Sequence, residues 1–356
     1  MNRALCRRPR RAEPSGARTV MAGADRRLRL TATLLATLLI AGCSSWGALA
    51  LWYQAPGGPA LKILCMALWA AMSIACAVAL WMRRIPLGLL GFALAFGGLI
   101  VWWHSLAPTN DRLWADDVAR ITNGTVAGNR VTMHNVRNFV WRSDTDYTPR
   151  WDTRSYDLER VNSVDMILSY WGSPTIAHLL VSFGFDGGDY LAFSVEIRRE
   201  RHEDFSEIGG FFKEFELSVI AADERDIVQV RTNVRDERDY LYHIRLPALE
   251  MRSLFLAYID VANRLVHHPR FYNTITANCT TLVYHMLKRI VGHLPVDYRV
   301  LFSGYLPEYV YSIGGLDSRY PLEELRSLGY LSERAKKANG STDFSAAIRQ
   351  GVPPLN

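Results

Sequence analysis

With 356 residues and 49% hydrophobic content, the chain has room for one or two domains with a sizeable core. Its net charge of +6 comes from one end: residues 1–29 hold nine arginines against Glu13 and Asp25, a balance of +7, so the remainder sums to −1. The basic pI is therefore no argument for nucleic acid, and the five cysteines (Cys6, Cys43, Cys65, Cys76, Cys279) show neither CxxC nor zinc spacing.

Residues 1–29 read as a basic, disordered cytoplasmic tail, with Met21 a credible alternative start. Three apolar runs follow, Leu30–Tyr53, Leu61–Met82 and Ile85–Trp103, each about the 20 residues that cross a bilayer as a helix. They predict a three-helix anchor over 30–104. Placing Arg26, Arg27, Arg29, Arg83 and Arg84 in the cytoplasm satisfies the positive-inside rule and puts everything after His104 outside. That is the periplasmic side of a bacterial inner membrane, with the chain multi-pass. Ile40-Ala-Gly-Cys43 resembles a lipobox, but the apolar run continues through Tyr53, so a plain membrane helix is the better reading.

Residues 105–134 read as a linker. Within it, Asn110–Ile121 is predicted to be a capped helix, with Leu113, Trp114, Val118 and Ile121 on one side, lying on the membrane surface or packing on the domain. A catalytic domain is expected over 135–340. Its first strand candidates are Val131–Met133, Asn138–Trp141 and Asp165–Trp171. A hairpin follows, Ile176–Phe185 and Asp189–Arg198 around Asp186-Gly-Gly188. A three-residue loop pairs Phe185 with Asp189, which sets His178 opposite Glu196 and Leu180 opposite Ser194. Further strands are predicted at Phe215–Ala221, Ile227–Val234 and Tyr240–Leu246, and a helix from Pro247 through Leu265. After a loop carrying Phe271 and Tyr272, Leu282, Val283, Met286, Leu287, Ile290 and Val291 recur at helical spacing, with Gly292 as C-cap. One more helix is expected at Pro321–Leu328, and 341–356 as a loose tail.

The helix before Gly292 should open near Asn278, with Cys279 in its first turn, where the helix dipole favours the thiolate. An isolated cysteine is more often an inert core residue. His178 and Glu196, however, supply a base and an orienting carboxylate on one strand face. The other histidines (His104, His134, His202, His243, His267, His268, His285, His293) have no carboxylate or cysteine at metal-ligand spacing, so no metal or cofactor is expected. No GxSxG, P-loop or GxGxxG signature is present.

The segments His178–Phe185, Leu191–Glu200, Asp226–Asn233 and Phe271–Thr281 resemble the Lnb-type periplasmic domain family of apolipoprotein N-acyltransferases, a likeness spanning most of Asn135–Tyr330. The resemblance implies an α+β, circularly permuted papain/NlpC-like fold in which histidine precedes cysteine. It implies Cys279 as nucleophile and His178 as base, with Glu196 or Asn278 orienting the histidine. The Cys279 N–H, with Asn278 or Tyr272, would hold the oxyanion. Ser194, Arg198 and Arg231 are candidates for substrate contact, although arginines of this kind are more often salt-bridge partners. The implied reaction moves an acyl chain from a phospholipid donor through a Cys279 thioester to an amine, the N-terminus of a lipoprotein. The alternatives are a cysteine hydrolase of the same fold, acting on peptidoglycan amides or lipid esters, and an inactive envelope-binding module. An intact Cys279–His178 pair argues against the last.

Overall fold

The computed structural model describes residues 15–355, with side chains from residue 26 onward. The expectation for residues 1–14 lies outside the described residues. From Ser15 the chain is helical, so the predicted tail is in part the start of the first helix. The chain divides into two compact units, one ending at Ala107 and one starting at Pro108.

The first unit contains α1 (Ser15–Gln54), α2 (Pro59–Trp81) and α3 (Ile85–Ser105). All three are long and apolar enough to cross a membrane. They pack on one another through Ile40, Trp69, Leu80, Phe92 and Leu99, while Leu35, Leu38, Leu64, Leu68, Leu94 and Val101 stay exposed, as a lipid-facing surface requires. Helix α1 runs unbroken through Cys43.

In the second unit the strands, in chain order, are β1 (Asn123–Ala127), β2 (Arg130–Arg137), β3 (Val140–Trp141), β4 (Tyr147–Thr148), β5 (Trp151–Asp157), β6 (Val161–Tyr170), β7 (Ala177–Phe185), β8 (Tyr190–Arg198), β9 (Glu216–Ala222) and β10 (Arg238–His243). The helices are α4 (Glu224–Gln229), α5 (Ala248–His267), α6 (Cys279–Val291), α7 (Leu306–Ser312), α8 (Leu322–Gly329), α9 (Ser332–Lys337) and α10 (Phe344–Ile348). Among the described residues, eight strands form one sheet in the order β1-β2-β9-β8-β7-β6-β10, with β5 also on β2. The architecture is α+β. Strand alternation splits its core in two. Leu179, Val181 and Phe183 of β7 and Leu191, Phe193 and Val195 of β8 meet α5 and α6 on one face. Leu180 and Ala192 meet α4, α9 and α10 on the other.

The β7–β8 hairpin has the expected register: Phe185 N–H bonds Asp189 O at 2.9 Å and Leu180 faces Ser194. Its loop needs Gly187 (φ 103°) and Gly188 (φ 89°), conformations that side chains with a Cβ resist.

Four expectations are overturned. The helix over Asn110–Ile121 is absent. Trp114 bridges Glu200 instead, Ala115 N–H bonds Arg199 O, and only Asp116–Val118 makes a 3-10 turn. Ion pairs Arg199–Asp117 and Arg201–Asp116 hold this stretch extended against the end of β8. Residues 105–134 are not a linker either, since β1 and β2 belong to the sheet. Ile227–Val234 is not a strand but the end of α4 followed by a π-helical turn, Val230–Val234. The Asp223 side chain caps this helix by accepting from Arg225 N–H, and buried Asp226 anchors its first turn to Arg137, Phe139 N–H and Trp141. Those polar anchors outweigh the β-branched alternation that reads as strand. Finally, the C-terminal segment is not loose: Phe344 and Ile348 are buried, and Arg349 pairs with Asp165 and Glu224 inside the domain.

Candidate active site

Beyond Leu180 and Ser194 the β7–β8 ladder ends. β7 continues against β6 to Ala177, and β8 continues against β9 to Arg198. The parting strands leave the Leu179 N–H without a β8 partner, and it turns to the sulfur of Cys279. Cys279 begins α6, whose N-cap is Asn278. The Asn278 side chain accepts from Thr280 N–H (2.9 Å) and Thr281 N–H (2.7 Å), and the Thr281 hydroxyl returns a bond to the Asn278 backbone in a capping box. At the far end Gly292 supplies the positive φ (77°) of the C-cap. The thiol is thus set at the dipole-positive end of a well-capped helix, buried, with the Thr280 hydroxyl 3.7 Å away.

His178 lies on the sheet face opposite α6, and it interacts electrostatically with Cys279, each moving the other's pKa toward the charged form. Its Nε2 is 2.6 Å from Ser194 Oγ and 3.2 Å from Glu196 Oε1, and Ser194 itself donates to Glu196 Oε1 at 2.6 Å. With Nε2 committed to these partners, Nδ1 is the ring nitrogen available to the thiol. Burial lowers the imidazole's pKa, but the Glu196 carboxylate and Cys279 outweigh it and His178 rises to about 9. Glu196 is raised by burial and pulled well below the usual carboxylate range by His178, Arg231 and Ser194. Burial raises the Cys279 thiol, yet His178, Leu179 N–H and Thr280 bring it below its ordinary value. All three shifts favour a thiolate–imidazolium pair held by a carboxylate.

The other candidates separate. Arg231, delivered by the π-helical turn, is buried and donates to Glu196 (3.1 Å) and Glu237 (3.4 Å), so it positions the carboxylate and does not meet solvent. Arg198 is not a substrate group. It is buried under Trp114 and donates to Val118 O, Ala119 O and Asn110 Oδ1, tying the segment after the first unit to the sheet. Asn278 is not the histidine's orienter, because its amide is spent on the cap and on Thr274 O (2.7 Å). That role falls to Glu196 through Ser194. Tyr272 is raised by burial and by the charges of Cys279 and Glu196, so its phenol lies within electrostatic reach of the site.

Two features escape sequence reasoning. Tyr258 of α5 reads as part of an apolar stripe, yet its pKa is driven up by burial and by the Cys279 charge, so a second phenol lies within electrostatic reach of the thiol. Behind the histidine, Ser169 bonds both Glu237 and Asp239, and burial pushes Asp239 up to about 7. A protonated Asp239 can donate to Ser169 while Ser169 donates to Glu237, which satisfies a serine hydroxyl that has a single proton. The strand-face pairing of Ser169 with His178 is the only signal that could have found this cluster, and it needs the β6–β7 register. Among the described residues no group of histidines, cysteines and carboxylates could hold a metal.

Residues 147–304 match the family model of the Lnb N-terminal periplasmic domain. The matched span contains His178, Ser194, Glu196, Arg231 and Cys279. The resemblance read from the four sequence segments therefore stands. With its three membrane-capable helices, the chain is a membrane protein carrying an Lnb-like periplasmic domain. No curated protein and no solved structure matches the chain.

Proposed function

We propose, proceeding from the likeness to the Lnb periplasmic domain, that the chain is an inner-membrane thiol acyltransferase that moves an acyl chain from phospholipid to an amine, the N-terminus of a lipoprotein. The observation that carries this reading is the Cys279–His178–Glu196 arrangement. A buried thiol of lowered pKa is coupled electrostatically to an imidazole of raised pKa, and Nε2 of that imidazole is held by Ser194 and Glu196. A cysteine at a helix start against a sheet-borne histidine also supports kinship with permuted papain/NlpC-like folds.

In the first half-reaction the Cys279 thiolate attacks the ester carbonyl and an S–C bond forms. The ester C–O bond then breaks, and the departing lyso-lipid alkoxide takes the proton of His178. In the second, a neutral amine attacks the thioester, His178 accepts the amine proton, the C–S bond breaks and the thiolate–imidazolium pair is restored. The oxyanion would meet the Cys279 N–H and the hydroxyl of Tyr272 or Tyr258. No metal or cofactor is needed. A membrane anchor suits the chemistry, because both acyl donor and lipoprotein acceptor are confined to the bilayer.

The test is to incubate the purified protein with phospholipid labelled in its acyl chain and quench in acid. Wild type should carry label that neutral hydroxylamine releases, and Cys279→Ser should carry none while remaining folded. Turnover without labelled wild type, or full activity in Cys279→Ser, defeats the covalent route. Label that passes only to water replaces the transferase by the hydrolase.

A further inference from the structure

A cavity of about 320 Å³ lies between α6 and the sheet face it packs on, and it is lined almost wholly by apolar side chains. Its size falls in the range of small-molecule sites, roughly 300–1,000 Å³. Two of its lining residues, Leu179 and Thr280, neighbour the thiol, with the Thr280 hydroxyl 3.7 Å from the sulfur, so one end of the cavity lies next to Cys279 although Cys279 itself does not line it. From there its wall follows α6 through Thr280, Val283, Leu287 and Val291. At 1.5 Å per residue those positions cover about 16 Å of the helix, from its first turn to its last. Val300 and Leu306 line it as well. Its few charged liners have partners elsewhere: Asp165 is held by His243 and Arg349, and Arg245 by Asp317. An elongated, apolar space with few polar groups offers little to a peptide backbone and suits a hydrocarbon chain.

We propose that this cavity is the acyl-chain site, in which the hydrocarbon of the Cys279 thioester lies along α6. The proposal rests on the acyl-thioester reading above and adds what selects the chain. Each methylene buried there is worth about fourfold in affinity until the space is full, so acylation should climb with chain length and then level off.

Two readouts on the full-length protein in nanodiscs test it. The first is the rate of hydroxylamine-labile acylation by p-nitrophenyl esters from butyryl to palmitoyl. Leu287→Trp should lower the dodecanoyl-to-butyryl rate ratio at least tenfold, and Leu287→Ala, which enlarges the cavity and keeps the fold if the tryptophan does not, should move the plateau to longer chains. The second uses a diazirine-bearing fatty acid with Cys279→Ser. Photo-crosslinks should map to residues 280–291 and 294–315 and weaken with Leu287→Trp. Unchanged length ratios in both Leu287 variants, or crosslinks confined to residues 30–105, overturn the proposal. Crosslinks in the cavity with no thioester at any length sink the transferase while leaving the acyl site standing.

Discussion

At Cys279, His178 and Glu196 the chemistry depends on which charge wins at a buried position. Desolvation alone would neutralise both thiol and imidazole, and it is Glu196, itself steadied by Arg231, that tips the balance toward the ion pair. Activity should therefore rise as the thiol loses its proton below its usual range and fall as His178 loses its own near pH 9. Glu196→Gln removes the largest influence that raises His178 and leaves Cys279 alone against burial and Arg231, which both lower it. The falling limb of the kcat/KM profile should move to lower pH, with a loss of about 10²-fold or more at the optimum. Asn278→Ser, by contrast, keeps a capping side chain and should hold activity within a few fold, whereas Asn278→Ala should cost about 1 kcal/mol of stability in urea unfolding. A 10²-fold loss in Asn278→Ser would return the orienting role to Asn278.

Two elements do work that their composition conceals. The π-helical turn after α4 carries Arg231 into the buried acidic cluster at the site, and the C-terminal α10 brings Arg349 to Asp165 and Glu224, both fully buried. Removing this buried cation leaves Glu224 without a counter-charge and Asp165 with His243 alone. Arg349→Met should therefore destabilise the domain by roughly 3–5 kcal/mol, read as a lower urea midpoint and faster proteolysis. Truncation after residue 340 also strips Phe344 and Ile348 from the second core and should prevent folding. A truncated chain as stable as wild type would show that the segment is dispensable after all. The strand-like pattern of Ile227–Val234 is overridden for a related reason. Alternating β-branched residues suit a strand and a helix end equally well, and the choice was made by Asp226 finding Arg137 and Trp141 far away in the chain.

For the whole molecule, the basic residues flanking the apolar helices predict a cytoplasmic N-terminus and an external domain. Reporter fusions active only in the periplasm should work after residue 110 and fail after Arg84. The reverse pattern would remove the lipid substrate along with the topology.

By itself the sequence determined the local features of this protein. Apolar runs of membrane length, the capped start of α6 at Asn278 and Cys279, and the hairpin register that pairs Leu180 with Ser194 all follow from spacing and turn chemistry within about 20 residues. Tertiary structure decided everything that depends on distant partners. Arg198 is a tether because residues 110–119 fold over it. Arg231 and Tyr258 join the site, and α10 closes the second core, for the same reason. A buried polar side chain takes its role from whichever group satisfies it, and a one-dimensional pattern does not contain that partner.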